Sequence, residues 1–235
     1  MKLENNDINN RFIKVSNSTT FKRILRILKL SNKKVLDIGC GYGEYLYHFG
    51  QGSIGITTTV GEVDYGRENN LNIVKGNIEE YEVLKNLGLF ECIWANNLFE
   101  HLLSPHNFLI KLKTISNNKT ILILGVPVIP KCVSLLKLNK FRGALASNHI
   151  SFFTKETLRY TVQFSGWETV SLRPFIFSNI FLDNLASFFA PHLYLIANNN
   201  ADFRYPEKKQ KEWKGEKLYS ELFNITENNS YSKNN

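Results

Sequence analysis

Cysteine is scarce in this 235-residue sequence, with Cys40, Cys92 and Cys132 far apart. No CxxC pair or metal-spaced set forms. That argues against a disulfide scaffold or a structural zinc module and fits a reducing compartment. A long apolar run is also lacking. The most apolar late stretch, Phe175 to Phe189, is interrupted by Ser178, Asn179, Asp183, Asn184 and Ser187. It is too short and too polar to span a bilayer. The opening residues Met-Lys-Leu-Glu-Asn-Asn-Asp carry no apolar stretch of the secretory kind, so a cytoplasmic location is expected. No internal repeat is visible.

What is present is ordinary for a globular chain: 43% hydrophobic and 21% charged residues. Asparagine is common, with 28 residues, as an AT-rich genome would produce without any functional cause. The net charge of +8 is unevenly placed. Residues 1–34 hold nine Lys/Arg against two Asp/Glu, residues 35–200 hold 13 of each, and residues 201–235 hold seven against six. The excess therefore belongs to one N-terminal arm. A nucleic-acid groove would interleave basic residues with aromatics along the body of the chain, and this sequence does not.

Residues 1–18 are polar and show no pattern, which predicts a mobile arm. From Thr20, the spacing of Phe21, Ile24, Leu25, Ile27 and Leu28 predicts a helix ending near Ser31-Asn32. Strands and helices then alternate. Strands are predicted at 34–38, 53–57, 71–75, 90–95 and 120–126, with helices at 60–69, 79–87 and 105–115. Short connections between them imply βαβ units and a parallel sheet covered on both faces. Beyond a long connection at 128–152, a helix is predicted at 154–164 with Gly166 as its C-cap, then strands at 167–172 and 192–197. A charged helix over 206–223 precedes an Asn/Ser/Lys end.

The most informative stretch is Val35-Leu-Asp-Ile-Gly-Cys-Gly-Tyr-Gly-Glu44, a strand running into three alternate glycines, with a helix expected behind them. Glycines serve where a backbone turns sharply against a ligand, and a helix N-terminus offers free N–H groups. A dinucleotide fingerprint would place Gly or Ala three residues after Gly41, where Glu44 stands, and an acid at Thr57. No Gly-Lys-Ser/Thr follows, so a Walker loop is absent.

The remaining pattern, D-x-G-x-G-x-G, resembles the first motif of class I S-adenosylmethionine-dependent methyltransferases of the small-molecule type. Further segments are similar in order and spacing: Gly76-Asn-Ile-Glu-Glu80, Phe90-Glu-Cys-Ile-Trp-Ala-Asn-Asn-Leu-Phe-Glu-His-Leu102 and Asn148-His-Ile-Ser-Phe-Phe-Thr154. The resemblance covers residues 33–174. It implies a Rossmann-like three-layer α/β/α sandwich with seven strands, mostly parallel, the last antiparallel. It divides the chain into a basic arm and helix (1–30), a methyltransferase domain (31–200) and a charged, partly disordered extension (201–235).

The resemblance also assigns roles. Gly39, Cys40, Gly41 and Gly43 would carry the backbone past the methionine and ribose parts of S-adenosylmethionine, whose product is S-adenosylhomocysteine. Asp37 would hold the loop or meet the cofactor's ammonium group. Asn77 stands where an acid accepts from the adenine amino group, and Ile78 would pack on the adenine face. Thr57 departs from the acid that grips the ribose hydroxyls, although Gly55-Ile-Thr-Thr-Thr59 resembles the Gly-x-Thr-x-Ser turn of cyclopropane fatty acid synthases. Asn96 would line the boundary between cofactor and acceptor. His149 is the candidate base.

Glu100-His101 is similar to a metal-binding pair of ubiquinone-type O-methyltransferases, but Asn97 replaces the earlier acid, so no metal is expected. The function implied is methyl transfer to a small-molecule acceptor, either acidic or apolar. The alternative is an inactive methyltransferase fold kept as an interaction module. An Asn/Asp-Pro-Pro-aromatic turn is missing at Asn96-Asn-Leu-Phe99, which argues against amino groups of DNA as acceptors. Residues 20–30 are expected to fold over the cofactor, so that removing residues 1–30 weakens its binding.

Overall fold

The computed structural model describes residues 5–80, 83–84 and 87–213. Strands β1 (Val35–Ile38), β2 (Ile54–Thr57), β3 (Ile73–Lys75), β4 (Cys92–Asn96), β5 (Ile121–Ile129), β7 (Trp167–Arg173) and β8 (His192–Asn199) form the main sheet, in the order β3-β2-β1-β4-β5-β8-β7. A short β6 (Phe153–Thr154) pairs in parallel with the end of β5. Strands β1 to β5 pair with one another in parallel, and β8 lies antiparallel between β5 and β7. This is the sheet the sequence predicts, with the last strand reversed.

Alternate residues of the central strands feed two separate cores. Leu36, Ile38, Ile93, Leu122 and Leu124 meet the helices α4 (Pro105–Leu112) and α5 (Lys155–Gln163) through Phe108, Leu112, Leu158 and Val162. On the other face Val35, Cys92, Trp94 and Ile123 meet Phe21 and Ile24 of α2 (Thr19–Ile27). Burying each of those two side chains contributes about 1.5–3 kcal/mol. Apolar residues facing both ways along β1 and β5 are what a central parallel strand requires. Thr154 caps α5 reciprocally with Thr157, and Gly166, at φ +77, ends that turn.

Two local expectations change. Residues 1–18 do not form an arm without pattern: Asn5–Asn17 is a helix, α1, with Ile8 buried. The helix expected behind the glycine loop is replaced by turns and one 3-10 turn at Leu46–His48. Gly43 sits at φ +92 and Phe49 is extended, so the backbone leaves helical geometry on both sides of that turn. The helix α3 (Val60–Glu68) follows β2 as expected.

Within residues 175–190 a short helix, α6 (Ile180–Ala186), appears. The connection at 128–152 is built of 3-10 turns at Val133–Lys137 and Asn139–Leu145. Part of the helix expected at 79–87 lies outside the described residues. So does most of the one at 206–223, of which α7 (Glu207–Trp213) is described.

Candidate functional site

The candidate cofactor site lies at the C-terminal ends of β1, β2 and β4. Gly39, Gly41 and Gly43 all have positive φ (+72, +57 and +92), so the loop reverses between left-handed steps that other residues rarely adopt. Cys40 is buried beneath it, its sulfur 2.7 Å from where a Cβ on Gly55 would lie, so it serves the loop through packing and backbone.

Three carboxylates gather around this loop. Burial, followed by the fields of Asp37, Glu62 and Glu44, pushes the Cys40 thiol far above its ordinary range. Burial also raises the Asp37 carboxyl well above the carboxylate range, and the Glu44 charge adds to that. Asp37 Oδ2 is buried and has no hydrogen-bond partner. Glu44 is raised by burial too, although Arg11 opposes the shift through an ion pair. The Leu46 backbone N–H bonds the Asp37 carboxyl, but an ionised carboxylate with its other oxygen buried and unpartnered is costly, and this group of acids fits a ligand that carries positive charge. The residues therefore fit S-adenosylmethionine, with its ammonium and sulfonium.

Thr57, at the end of β2, donates its hydroxyl to Glu62 in the first turn of α3. Glu62, which the sequence did not single out, brings an acid beside Thr57 from the helix rather than from the strand. Asn77 is exposed, and its side-chain oxygen accepts the Glu79 backbone N–H at 3.1 Å, so its first task is to cap a turn. Ile78 belongs to the core. Asn96 donates to the Tyr45 hydroxyl at 3.1 Å, while its own Oδ1 is buried without a partner. Burial is the main reason the Tyr45 phenol is pushed up to about 12.

At the N-terminus it is α1 that lies against the glycine loop. Arg11 of α1 lies against the loop: a Cβ on Gly41 would stand 3.0 Å from its Nη2, and its guanidinium is over the Tyr42 ring at 5.6 Å. Residues 20–27 instead pack beneath the site, with the Phe21 ring 5.0 Å from Tyr45 and 5.6 Å from Trp94.

On the acceptor side, His149 joins Glu100 and His101. Both imidazole Nε2 atoms stand 3.9 Å from Glu100 Oε1, and the two rings meet edge to face at 4.8 Å. His101 Nδ1 pairs with the Asn148 carbonyl at 3.1 Å, which makes Nδ1 the donor. One donor atom from each of the three residues lies within 4.8 Å of the others, a set able to hold a proton or a divalent cation. Burial, then the neighbouring His101, lowers His149.

His192, which reads in the sequence as a scattered histidine without a constellation, gains a partner because β8 returns beside β5. His192 bonds Asn97 Oδ1 at 2.9 Å, next to Asn96, and burial lowers it to about 4. Asn97 holds a left-handed backbone at φ +51 to make that contact.

The methyltransferase domain family profile matches residues 11–172, and the chain belongs to that family. It is an S-adenosylmethionine-dependent enzyme. Solved structures share the fold. One is a methyltransferase from Archaeoglobus fulgidus, at 20% identity and TM-score 0.55, covering 79% of this chain and 96% of that chain. A second, from Mesorhizobium loti, has 12% identity and TM-score 0.55, covering 79% and 100%. A third is magnesium protoporphyrin IX methyltransferase from Synechocystis PCC 6803 with bound S-adenosylhomocysteine, at 15% identity and TM-score 0.53, covering 80% and 83%. No curated protein sequence matches the chain. Among the described residues no helix is long and apolar enough to cross a membrane.

Proposed function

We propose that this enzyme methylates a small-molecule acceptor, binding its cofactor at the glycine loop and the acceptor beneath residues 130–152 and 174–191. The observation that carries the cofactor site is the buried, unpartnered Oδ2 of Asp37 beside Glu44 and Glu62. Asp37 receives the ammonium group, Glu62 takes the ribose hydroxyls through its carboxylate with Thr57 behind it, and Asn96 offers Oδ1 at the boundary with the acceptor. Asn77 keeps a lone pair and its amide hydrogens for the adenine edge.

When bound, S-adenosylmethionine supplies a sulfonium methyl that needs no activation. The chain's part is alignment, water exclusion and, for a hydroxyl acceptor, removal of one proton. Two neutral imidazoles stand on the acceptor side. His149 is the proposed base, passing its proton towards Glu100. His192, oriented by Asn97, is the second candidate.

Isothermal titration with S-adenosylmethionine and S-adenosylhomocysteine tests the cofactor site. Micromolar binding is expected, lost in Gly41→Val, where a side chain would meet both a positive φ and Arg11. A folded protein that binds neither compound would sink the reading. Transfer of labelled methyl to sugars, quinones and lipids then identifies the acceptor class.

A further inference from the structure

The helix α6 is turned inside out. Its only buried residue is Asp183, while Ile180, Phe181, Leu182 and Leu185 face solvent. Phe181 is 76% exposed, and Phe188 and Phe189 continue the apolar surface just beyond the helix. A helix at a water surface does the reverse, with charge out and apolar side chains in.

The arrangement is built rather than loose. Asp183 accepts from the backbone N–H groups of Phe175, Ile176 and Phe177 at 2.7–3.0 Å and from Arg173 at 3.0 Å. From the opposite side, Arg23 of α2 donates to the Phe175 carbonyl at 2.6 Å. With its one acid tied inward, the segment 174–191 shows water no acidic side chain.

The neighbouring segment supplies the complementary charge. Residues 130–159 hold six Lys/Arg against a single acid, Glu156. The two segments touch: Lys131 and Lys155 lie over the Phe188 ring at 4.9 and 5.6 Å, and Lys155 bonds the Ser187 hydroxyl at 2.5 Å. Lys137, Lys140 and Arg142 are exposed on the 3-10 turns beside the exposed Val133, Leu138 and Leu145. Apolar side chains bordered by cations, with the one nearby carboxylate already paired to Lys131, match an anionic lipid surface: tails take the phenyl groups and phosphates take the ammonium groups.

Both segments extend from the edge of the sheet that carries the glycine loop, since one leaves the C-terminal end of β5 and the other joins the end of β7 to the start of β8. We propose that this face docks the enzyme on an anionic lipid surface and that the methyl acceptor is reached from that surface. The second half rests on the small-molecule reading above.

Co-sedimentation of the full chain with phosphatidylcholine vesicles, with and without phosphatidylglycerol, tests the proposal. Binding is expected only with phosphatidylglycerol and is expected to fall as salt rises. Phe181→Ser/Phe189→Ser should abolish it. Lys137→Glu/Lys140→Glu/Arg142→Glu should weaken it by about a hundredfold, since each basic side chain near such a surface is worth roughly fivefold or more. Both variants should bind S-adenosylmethionine as wild type does, which shows that they fold.

Equal binding to uncharged vesicles, no binding, or variants that bind unchanged would overturn the proposal. A dimer in light scattering that Phe181→Ser/Phe189→Ser dissolves, without vesicle binding, would assign the face to a second copy and also overturn it. Failure of wild type to bind S-adenosylmethionine would remove the small-molecule reading and leave the vesicle result standing.

Discussion

Thr57 and Glu62 are joined across the turn between β2 and α3, the threonine hydroxyl donating to the glutamate carboxylate. The helical acid thus reaches back to the end of the strand. Glu62→Ala should weaken S-adenosylmethionine binding by about tenfold to a hundredfold, the range for a lost charge-assisted pair. Glu62→Gln should recover part of the loss. Titration calorimetry checks both, and wild-type affinity in Glu62→Ala would remove the residue from the site.

Cofactor binding is expected to couple to protons through Asp37. Its folded-state carboxyl is raised by burial, so in the free protein the ionised form costs stability at every pH above the unfolded carboxylate value of 3.8. Asp37→Asn should therefore raise Tm near neutral pH, by about 2–4 °C for each kcal/mol relieved, while weakening the cofactor at least tenfold. Binding to wild type should release protons and tighten as pH rises. Calorimetry in buffers of different ionisation enthalpy reads the release directly.

Arg11 is the contact of α1 with the loop. Arg11→Ala should weaken S-adenosylmethionine by about threefold to tenfold and lower Tm, because it leaves the buried Glu44 carboxylate without its cation. Removing residues 1–30 should weaken it further and also cost stability, since Phe21 and Ile24 leave the Trp94 core. Equal affinity in both variants and wild type would show that α1 takes no part.

His149→Ala and His192→Ala separate the two bases. With a hydroxyl acceptor, the base should lower kcat by about 10²–10⁴ with the cofactor Kd unchanged. Because burial lowers both groups below the usual histidine range, the acid limb of the kcat profile should lie below pH 6.5. Chelation with EDTA tests the other use of Glu100, His101 and His149. Full activity after chelation leaves the cluster as a proton path, and a loss reversed by added divalent ion assigns it a cation.

The sheet was readable because buried parallel strands are short apolar runs bounded by turn residues, and the three glycines mark their own positive φ values. What escaped the sequence depended on partners distant along the chain. The α1 segment buries little beyond Ile8, so its apolar period is faint. Glu62 and His192 gain meaning only when Thr57 and Asn97 are placed beside them. The α6 helix misleads a hydropathy reading altogether, because its apolar side chains face outward and its acid inward.

The ion pair between α1 and the glycine loop has a kinetic side. Arg11 ties α1 to Glu44 of the glycine loop, and departure of S-adenosylhomocysteine is expected to wait on the opening of that pair. Turnover should then show a burst of methylated product followed by a slower steady rate set by exchange. Added salt, which loosens a half-exposed pair, should quicken that second phase and leave the burst unchanged.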